Sequence, residues 1–167
     1  VDAAGHVYVS DTGNKRIVVF DASGNYLTQF GTYGMNAGEL DEPVGLAIAA
    51  SGNVFVADTW NQRVEVFTPN PDGTFSYLRE WSVAGWSSQS VHNKQRISLD
   101  ADGNLFAVAA DAYRVLQFDP TGAVLRVWGD FSSGIDGFGI PAAVAADWKG
   151  GVWVSDAGNN YVLHFTI

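Results

Sequence analysis

The chain has 167 residues, 47% of them hydrophobic, which is enough apolar material for a folded domain with a core. Its 19 glycines favour β structure over helices, and the lack of cysteine excludes disulfides and thiolate metal sites. Eighteen acidic against nine basic residues give a net charge of −9, which argues against nucleic acid as a partner, because a phosphate backbone is bound mainly by Lys and Arg.

A Gly-to-Phe segment occurs four times along the chain. The copies begin at Gly5, Gly52, Gly103 and Gly150, and they align with one another without gaps. Within each copy apolar residues alternate at period two, as at Val7 and Val9, which predicts half-buried β-strands and not helices. Repeats of this kind predict a repeat architecture.

The second copy shows the order of strands, which we label a to d. Strands are predicted near residues 45–49, 53–58, 63–68 and 74–81. Turn-forming sequences between strands carry Gly or Asn where a tight reversal needs a positive φ, so adjacent strands are predicted to be antiparallel. These turn sequences are residues 21–25, 70–73, 100–104 and 119–122.

The predicted fold is all-β, a β-propeller of four-stranded antiparallel blades. One four-stranded sheet cannot bury both faces alone, so neighbouring blades must stack around an axis. We place the first blade at residues 1–42, the second at about 43–95, the third at about 96–140 and the fourth at about 141–167. The first blade begins at the end of its strand a, and the fourth lacks its outer strand d.

The same residues resemble the NHL repeat. The resemblance is carried by Pro43-Val-Gly-Leu-Ala-Ile, by residues 52–59 and by residues 61–67, and it extends over the whole chain. Because NHL-like propellers usually close with about six blades, it implies the C-terminal part of a larger NHL-repeat protein. Self-association through open blade edges, giving a homo-oligomer, is the other way to complete the ring.

An acidic and a basic residue bracket the turn between strands b and c. Asp11 with Arg16 and Asp58 with Arg63 are predicted to be structural clasps, since such a carboxylate can accept turn amides and pair with the guanidinium. The third copy keeps only the basic member and the fourth only the acidic member: Arg114 and Asp156. An active site is rarely copied into every blade, so no catalytic residue is predicted here.

Long connections are confined to one end of each predicted blade. The a–b and c–d turns are tight, whereas the b–c turns and the d–a connections, residues 31–42, 82–95 and 129–140, are longer. In an antiparallel blade these longer segments share one end, so large side chains on them are predicted ligand contacts. They are Tyr33, Trp60, Trp86, His92, Tyr113, Phe131 and Phe138.

Two interpretations compete for each of these large side chains. It either contacts a ligand or folds over the end of the blade as a lid on the core. Trp60 is the strongest contact candidate, because the equivalent turns have Gly13 and Gly158. Trp81 and Trp128 end strand d and are predicted to pack.

Signals for cofactors and catalysis are weak. The three histidines lack metal-ligand spacing, and neither a nucleophile elbow nor a phosphate loop is present. No metal or other cofactor is therefore predicted, with calcium at Asp100-Ala-Asp-Gly-Asn104 as a minor hypothesis.

Three hypotheses for function follow. The first is a non-catalytic binding module or scaffold that recognises a protein, peptide or glycan through the end bearing the long loops. The alternative is a propeller enzyme, an NHL-like lyase or a gluconolactonase-like hydrolase with a metal in the axial channel; strands a offer almost no ligands for it. The third, an RNA-binding propeller, conflicts with the net charge of −9. The segment has no predicted membrane span, and we expect it to be an extracytoplasmic or cell-surface part of a larger bacterial protein.

Overall fold

The computed structural model describes residues 1–87, 94–147 and 149–167. They form two compact units, Val1–Ser82 and Val83–Ile167. Both units consist of β-strands and turns, and no helix in the described residues is long and apolar enough to cross a membrane.

The first unit contains two antiparallel sheets and a short parallel pair between them. The first sheet has three strands in the order of the sequence: β1 (Val7–Asp11), β2 (Arg16–Phe20) and β3 (Tyr26–Phe30). The parallel pair is β4 (Thr32–Tyr33) and β5 (Glu39–Leu40). The second sheet has four strands, again in sequence order: β6 (Pro43–Ile48), β7 (Val54–Asp58), β8 (Arg63–Pro69) and β9 (Phe75–Ser82).

The second unit contains two further antiparallel sheets. The four-stranded sheet has the order β10 (Ile97–Leu99), β11 (Leu105–Ala109), β12 (Arg114–Phe118) and β13 (Val124–Trp128). The three-stranded sheet has the order β14 (Pro141–Ala146), β15 (Gly151–Asp156) and β16 (Tyr161–Thr166). The prediction of an all-β fold with antiparallel four-stranded sheets is confirmed.

Each unit has an apolar core between its two sheets. The first core consists of Ile17, Val19, Phe30, Leu40, Val54, Val56 and Phe67. The second consists of Phe106, Val108, Val115, Phe138, Val144, Val152 and Val154. Strands β7 and β11 are buried along their entire length, so the predicted half-burial is wrong for them: both of their faces are covered, as in the inner strands of layered sheets.

The tight turns depend on an aspartate and a glycine. In the turn after β2, Asp21 accepts hydrogen bonds from the amides of Ser23 and Asn25, both at 2.8 Å, and Gly24 takes a φ of +84°. A side-chain oxygen thereby satisfies two turn amides at once, and glycine adopts the left-handed conformation without strain. The same pattern recurs at Asp2, Asp100, Asp119 and Asp147.

Candidate functional site

Two connections, residues 31–42 and 129–140, have the same length and the same internal backbone contacts, which we call the frame of the loop. In the first, Tyr33 bridges to Leu40 in parallel, and in the second Phe131 bridges to Phe138 in the same way. The fourth residue of each loop donates its amide to the carbonyl of the tenth, across 3.3 and 3.1 Å. We call them the 31–42 loop and the 129–140 loop.

The tenth residue anchors each loop in the core of its unit. Leu40 and Phe138 are buried, and each lies against the glycine that opens its loop. A Cβ on Gly31 would come within 2.5 Å of Leu40, and one on Gly129 within 2.4 Å of Phe138. Glycine at the first position therefore makes room for the anchor.

The following b–c turn clamps the 31–42 loop with two side chains. Asp58 accepts the Asp41 amide at 2.7 Å, and Asn61 donates to the Gly34 carbonyl at 2.9 Å. Asn61 also donates to Asp58 at 2.8 Å, so the two clamping side chains hold each other.

The 129–140 loop is clamped in the same manner. Asp156 accepts the amides of Gly139 and Ile140 at 2.9 and 2.8 Å, and Asn159 donates to the Ser132 carbonyl at 2.7 Å. The Asp of the repeat thus holds the preceding loop as well as its own turn.

The predicted clasps form in two of the four copies. Arg16 donates to Asp11 at 2.8 Å, and Arg63 donates to Asp58 at 2.9 Å, each pair joining directly opposed residues of β1–β2 or β7–β8. Arg114 faces Ala109 in the register and makes only an exposed 3.3 Å contact with Asp130, so its predicted role as a clasp is wrong.

Asp58 and Asp156 occupy the same position but differ in electrostatics. Burial raises the pKa of Asp58, against the opposing effect of Asn61, the Asp41 amide and Arg63. At Asp156 burial is outweighed by the amides of Ile140 and Gly139 and by Asn159, so its pKa is lowered.

Three predicted contact residues are exposed on these loops and turns. Tyr33 is 72% exposed, Phe131 68% and Trp60 44%. Tyr113 is half-buried and meets the Phe131 ring edge-on, with 5.1 Å between the ring centres. Two exposed apolar side chains were missed by the sequence analysis, Met35 at 78% and Ile135 at 74%.

Two predicted contact residues are core residues, which corrects the prediction for them. Trp86 is 4% exposed and donates its indole N–H to the Val108 carbonyl at 2.7 Å, and Phe138 is 1% exposed. Both side chains therefore fit the second interpretation, in which the side chain folds over the core as a lid. His92 lies outside the described residues.

The third copy departs from the repeat for a steric reason. A Cβ on Gly85 would lie 2.6 Å from the Cβ of Ala112 and 3.2 Å from that of Ala109. The segment leading to Trp86 therefore packs closely on this turn, where the other copies have Asp and Asn, and only small side chains fit.

The remaining polar candidates are engaged within turns and strands. Asp100 accepts the amides of Asp102 and Asn104 at 3.0 and 2.9 Å. His6 contacts Asp2, and His164 contacts Asp147. Among residues 1–87, 94–147 and 149–167, three or more His, Asp or Glu side chains never group as a metal site would require.

Comparison with known proteins connects these features to a family. The sequence model for the NHL repeat matches residues 1–20 and 40–67. The chain is 27% identical over 129 residues to the protein brain tumor of Drosophila melanogaster, covering 77% of this chain and 12% of that protein. It is 47% identical over 45 residues to RING finger protein nhl-1 of Caenorhabditis elegans, covering 27% of this chain and 5% of that protein.

A solved structure shares the fold over the whole chain. Virginiamycin B lyase from Staphylococcus aureus is 13% identical, with a TM-score of 0.68, and the match covers 100% of this chain and 54% of that one. The chain thus has a β-propeller fold of antiparallel blades. Residues 1–20 and 40–67 match the NHL repeat, so the chain contains NHL repeats.

Proposed function

We propose that this chain is a non-catalytic binding module that recognises a protein or peptide through the 31–42 loop of the first unit or the 129–140 loop of the second, each with its adjacent b–c turn. The observation that carries the proposal is the recurrence of an exposed aromatic residue at the third position of two identically framed loops, Tyr33 and Phe131. Aromatic side chains on a rigid scaffold are typical binding anchors.

The frame makes these loops suitable for recognition. Each is tied by its anchor to the core and by Asp and Asn side chains to the next turn. A loop already held in one conformation loses little entropy on binding, so more of the contact energy contributes to affinity.

The first unit offers a small apolar surface, which we call the 33/35/60 surface. It consists of the exposed side chains of Tyr33, Met35 and Trp60; Tyr33 and Met35 flank Gly34, whose carbonyl accepts a hydrogen bond from Asn61, the residue after Trp60. An exposed apolar cluster rimmed by polar residues is typical of an interaction site. The second unit offers Phe131 and Ile135 on its own loop.

The comparisons support a modular role. The similarity to NHL repeats favours recognition, and the matched segments are 12% and 5% of the two curated relatives, which are therefore much longer proteins. The lyase is similar in fold alone at 13% identity, so its activity is not carried over to this chain.

Selection from a phage-displayed random peptide library tests the proposal. Peptides enriched on the native chain should bind the triple variant Tyr33→Ala, Met35→Ala, Trp60→Ala at least about tenfold more weakly, the loss of roughly 1.4 kcal/mol or more expected for aromatic anchors. The matched control is Tyr26→Ala with Leu78→Ala, exposed apolar residues on β3 and β9, which should leave binding unchanged. Equal binding to native and triple-variant proteins would refute the role of this surface.

A further inference from the structure

A buried group of charges lies under the 31–42 loop. The Arg63 guanidinium forms ion pairs with Asp58 at 2.9 Å, Glu65 at 3.0 Å and Glu80 at 2.9 Å. Arg63 and Asp58 are nearly or fully buried, and Glu65 is completely buried. One cation thus faces three carboxyl groups, two of them buried, so the cluster would carry excess negative charge if all three were ionised.

The same guanidinium holds the backbone of the loop. It donates to the carbonyls of Met35 at 3.0 Å, Asn36 at 3.1 Å and Glu39 at 2.7 Å. Met35 belongs to the 33/35/60 surface, so the charge cluster and the proposed binding surface share one segment of chain.

Glu65 is the unusual member of the cluster. The equivalent positions in the other copies are Val18, Leu116 and Leu163, all apolar. Its Oε1 accepts the Gly38 amide at 3.1 Å, and its Oε2 is buried.

Glu65 also lies directly opposite a like charge. In the β8–β9 register it pairs with Glu80, and like charges in directly opposed strand positions are destabilising. Burial raises the pKa of Glu65 to about 8; Arg63 and the Gly38 amide act against this, and a side-chain hydrogen bond with Glu80 and the charge of Asp58 add to it. The other titratable neighbours are Tyr77 on β9, whose pKa is raised by burial and by both glutamates, and Glu39, whose carboxylate binds Asn36.

We propose that Glu65 is a positioning residue that makes the order of the 31–42 loop depend on pH. With Glu65 protonated, the cluster carries one negative charge less and the loop stays closed on it. Ionisation sets Glu65 against Glu80 under the loop and favours opening, which admits water. The consequence for binding through the 33/35/60 surface rests on the function proposed above.

The direction of the effect follows from linkage. In an open loop Glu65 has its ordinary pKa, whereas in the closed loop it keeps its proton to higher pH. The closed state is therefore most favoured at acidic pH. It loses that advantage progressively as the pH rises towards about 8, and little changes above that value.

Hydrogen exchange on the full chain tests this without any binding partner. Between pH 5 and 8 the protection of residues 31–42, corrected for intrinsic exchange rates, should fall by roughly tenfold or more, since each unit of pKa difference is a factor of ten. The 129–140 loop is the internal control, because Tyr161 and Leu163 stand where Arg63 and Glu65 would be, and its protection should stay constant.

Glu65→Gln should abolish the pH dependence while keeping a side chain of the same shape, and Glu65→Leu, the residue type found in the third and fourth copies, should do the same. An NMR titration of the Gly38 amide in the native chain should show an inflection near pH 8 and decides the matter if the variants do not fold. Equal pH dependence in Glu65→Gln, or a Gly38 inflection at the ordinary carboxyl pKa, would overturn the proposal. Because these readouts need no peptide, their failure and the failure of the proposed binding role are distinguishable.

Discussion

The 31–42 and 129–140 loops share a backbone but are held by different chemistry. In both, an apolar anchor enters the core, and an Asp and an Asn from the next turn bind the loop backbone. Beneath the first loop lies the ion cluster around Arg63, whereas Tyr161 takes the place of that arginine in the second.

The difference separates what the repeat requires from what one blade has added. Anchor, Asp and Asn suffice to fix the loop, since they occur in both units and satisfy the same backbone groups. The arginine cluster is an addition to the first unit, and it brings buried charge that must stay paired. Two substitutions and one titration test this difference.

Removing the guanidinium should have the largest effect. Arg63→Leu leaves the Asp58 carboxylate buried without its cation, and breaking a buried ion pair from one side costs about 3–5 kcal/mol. Urea unfolding of the full chain measures the loss. The matched control is Arg16→Leu, which breaks the more exposed pair with Asp11 and should cost much less. Similar losses in the two variants would contradict a special role for the buried cluster.

A steric substitution tests the closeness of the second loop to its turn. A Cβ on Gly158 would lie 2.6 Å from the backbone of Gly139 and Ile140, whereas the equivalent Gly13 has open space. Gly158→Ala should therefore destabilise the second unit by about 1–3 kcal/mol, the cost typical of overpacking. Gly13→Ala should be close to neutral. Loss of hydrogen-exchange protection confined to residues 129–140 would locate the effect, and unchanged protection would refute the contact.

The smallest expected effect is the pH dependence of the stability that Asp58 and Asp156 contribute, which has opposite signs in the two loops. The pKa of Asp156 is lowered, so its contribution is complete above the ordinary value of 3.8 and is lost as the pH falls through the lower folded-state value. The pKa of Asp58 is raised, so its contribution instead declines as the pH rises above 3.8. Carboxyl carbon NMR titrations should give an inflection below 3.8 for Asp156 and above it for Asp58. Inflections at the same pH for the two aspartates would contradict these opposite pKa shifts.

Much of the fold could be predicted from the sequence, because strand alternation and turn residues act locally. The antiparallel sheets and the Asp–Gly turns follow from them directly. Whether each loop aromatic is buried or exposed could not be predicted, because a position in a loop does not indicate which side chain enters the core. Aligning the two loops gives the missing signal: Phe138 falls on Leu40, an apolar anchor, while Phe131 falls on Tyr33.

Other missed features also had a signal in the alignment of copies. Glu65 occupies a repeat position at which the other copies have the apolar residues Val18, Leu116 and Leu163. A charged residue at such a position is expected to be buried and paired. Ala109 and Ala112 are small because the segment before Trp86 packs against them, so the change of residue type there reflects a different preceding connection.

We expect the 31–42 and 129–140 loops to present their exposed apolar side chains to a peptide. Mapping amide chemical shifts of the full chain with a peptide selected on it tests this most directly. We expect the largest changes in residues 31–36 and 59–62, or in residues 131–135, at the clamped loops. Changes concentrated instead in the tight turns at residues 21–25 and 70–74, with the loops unaffected, would contradict it.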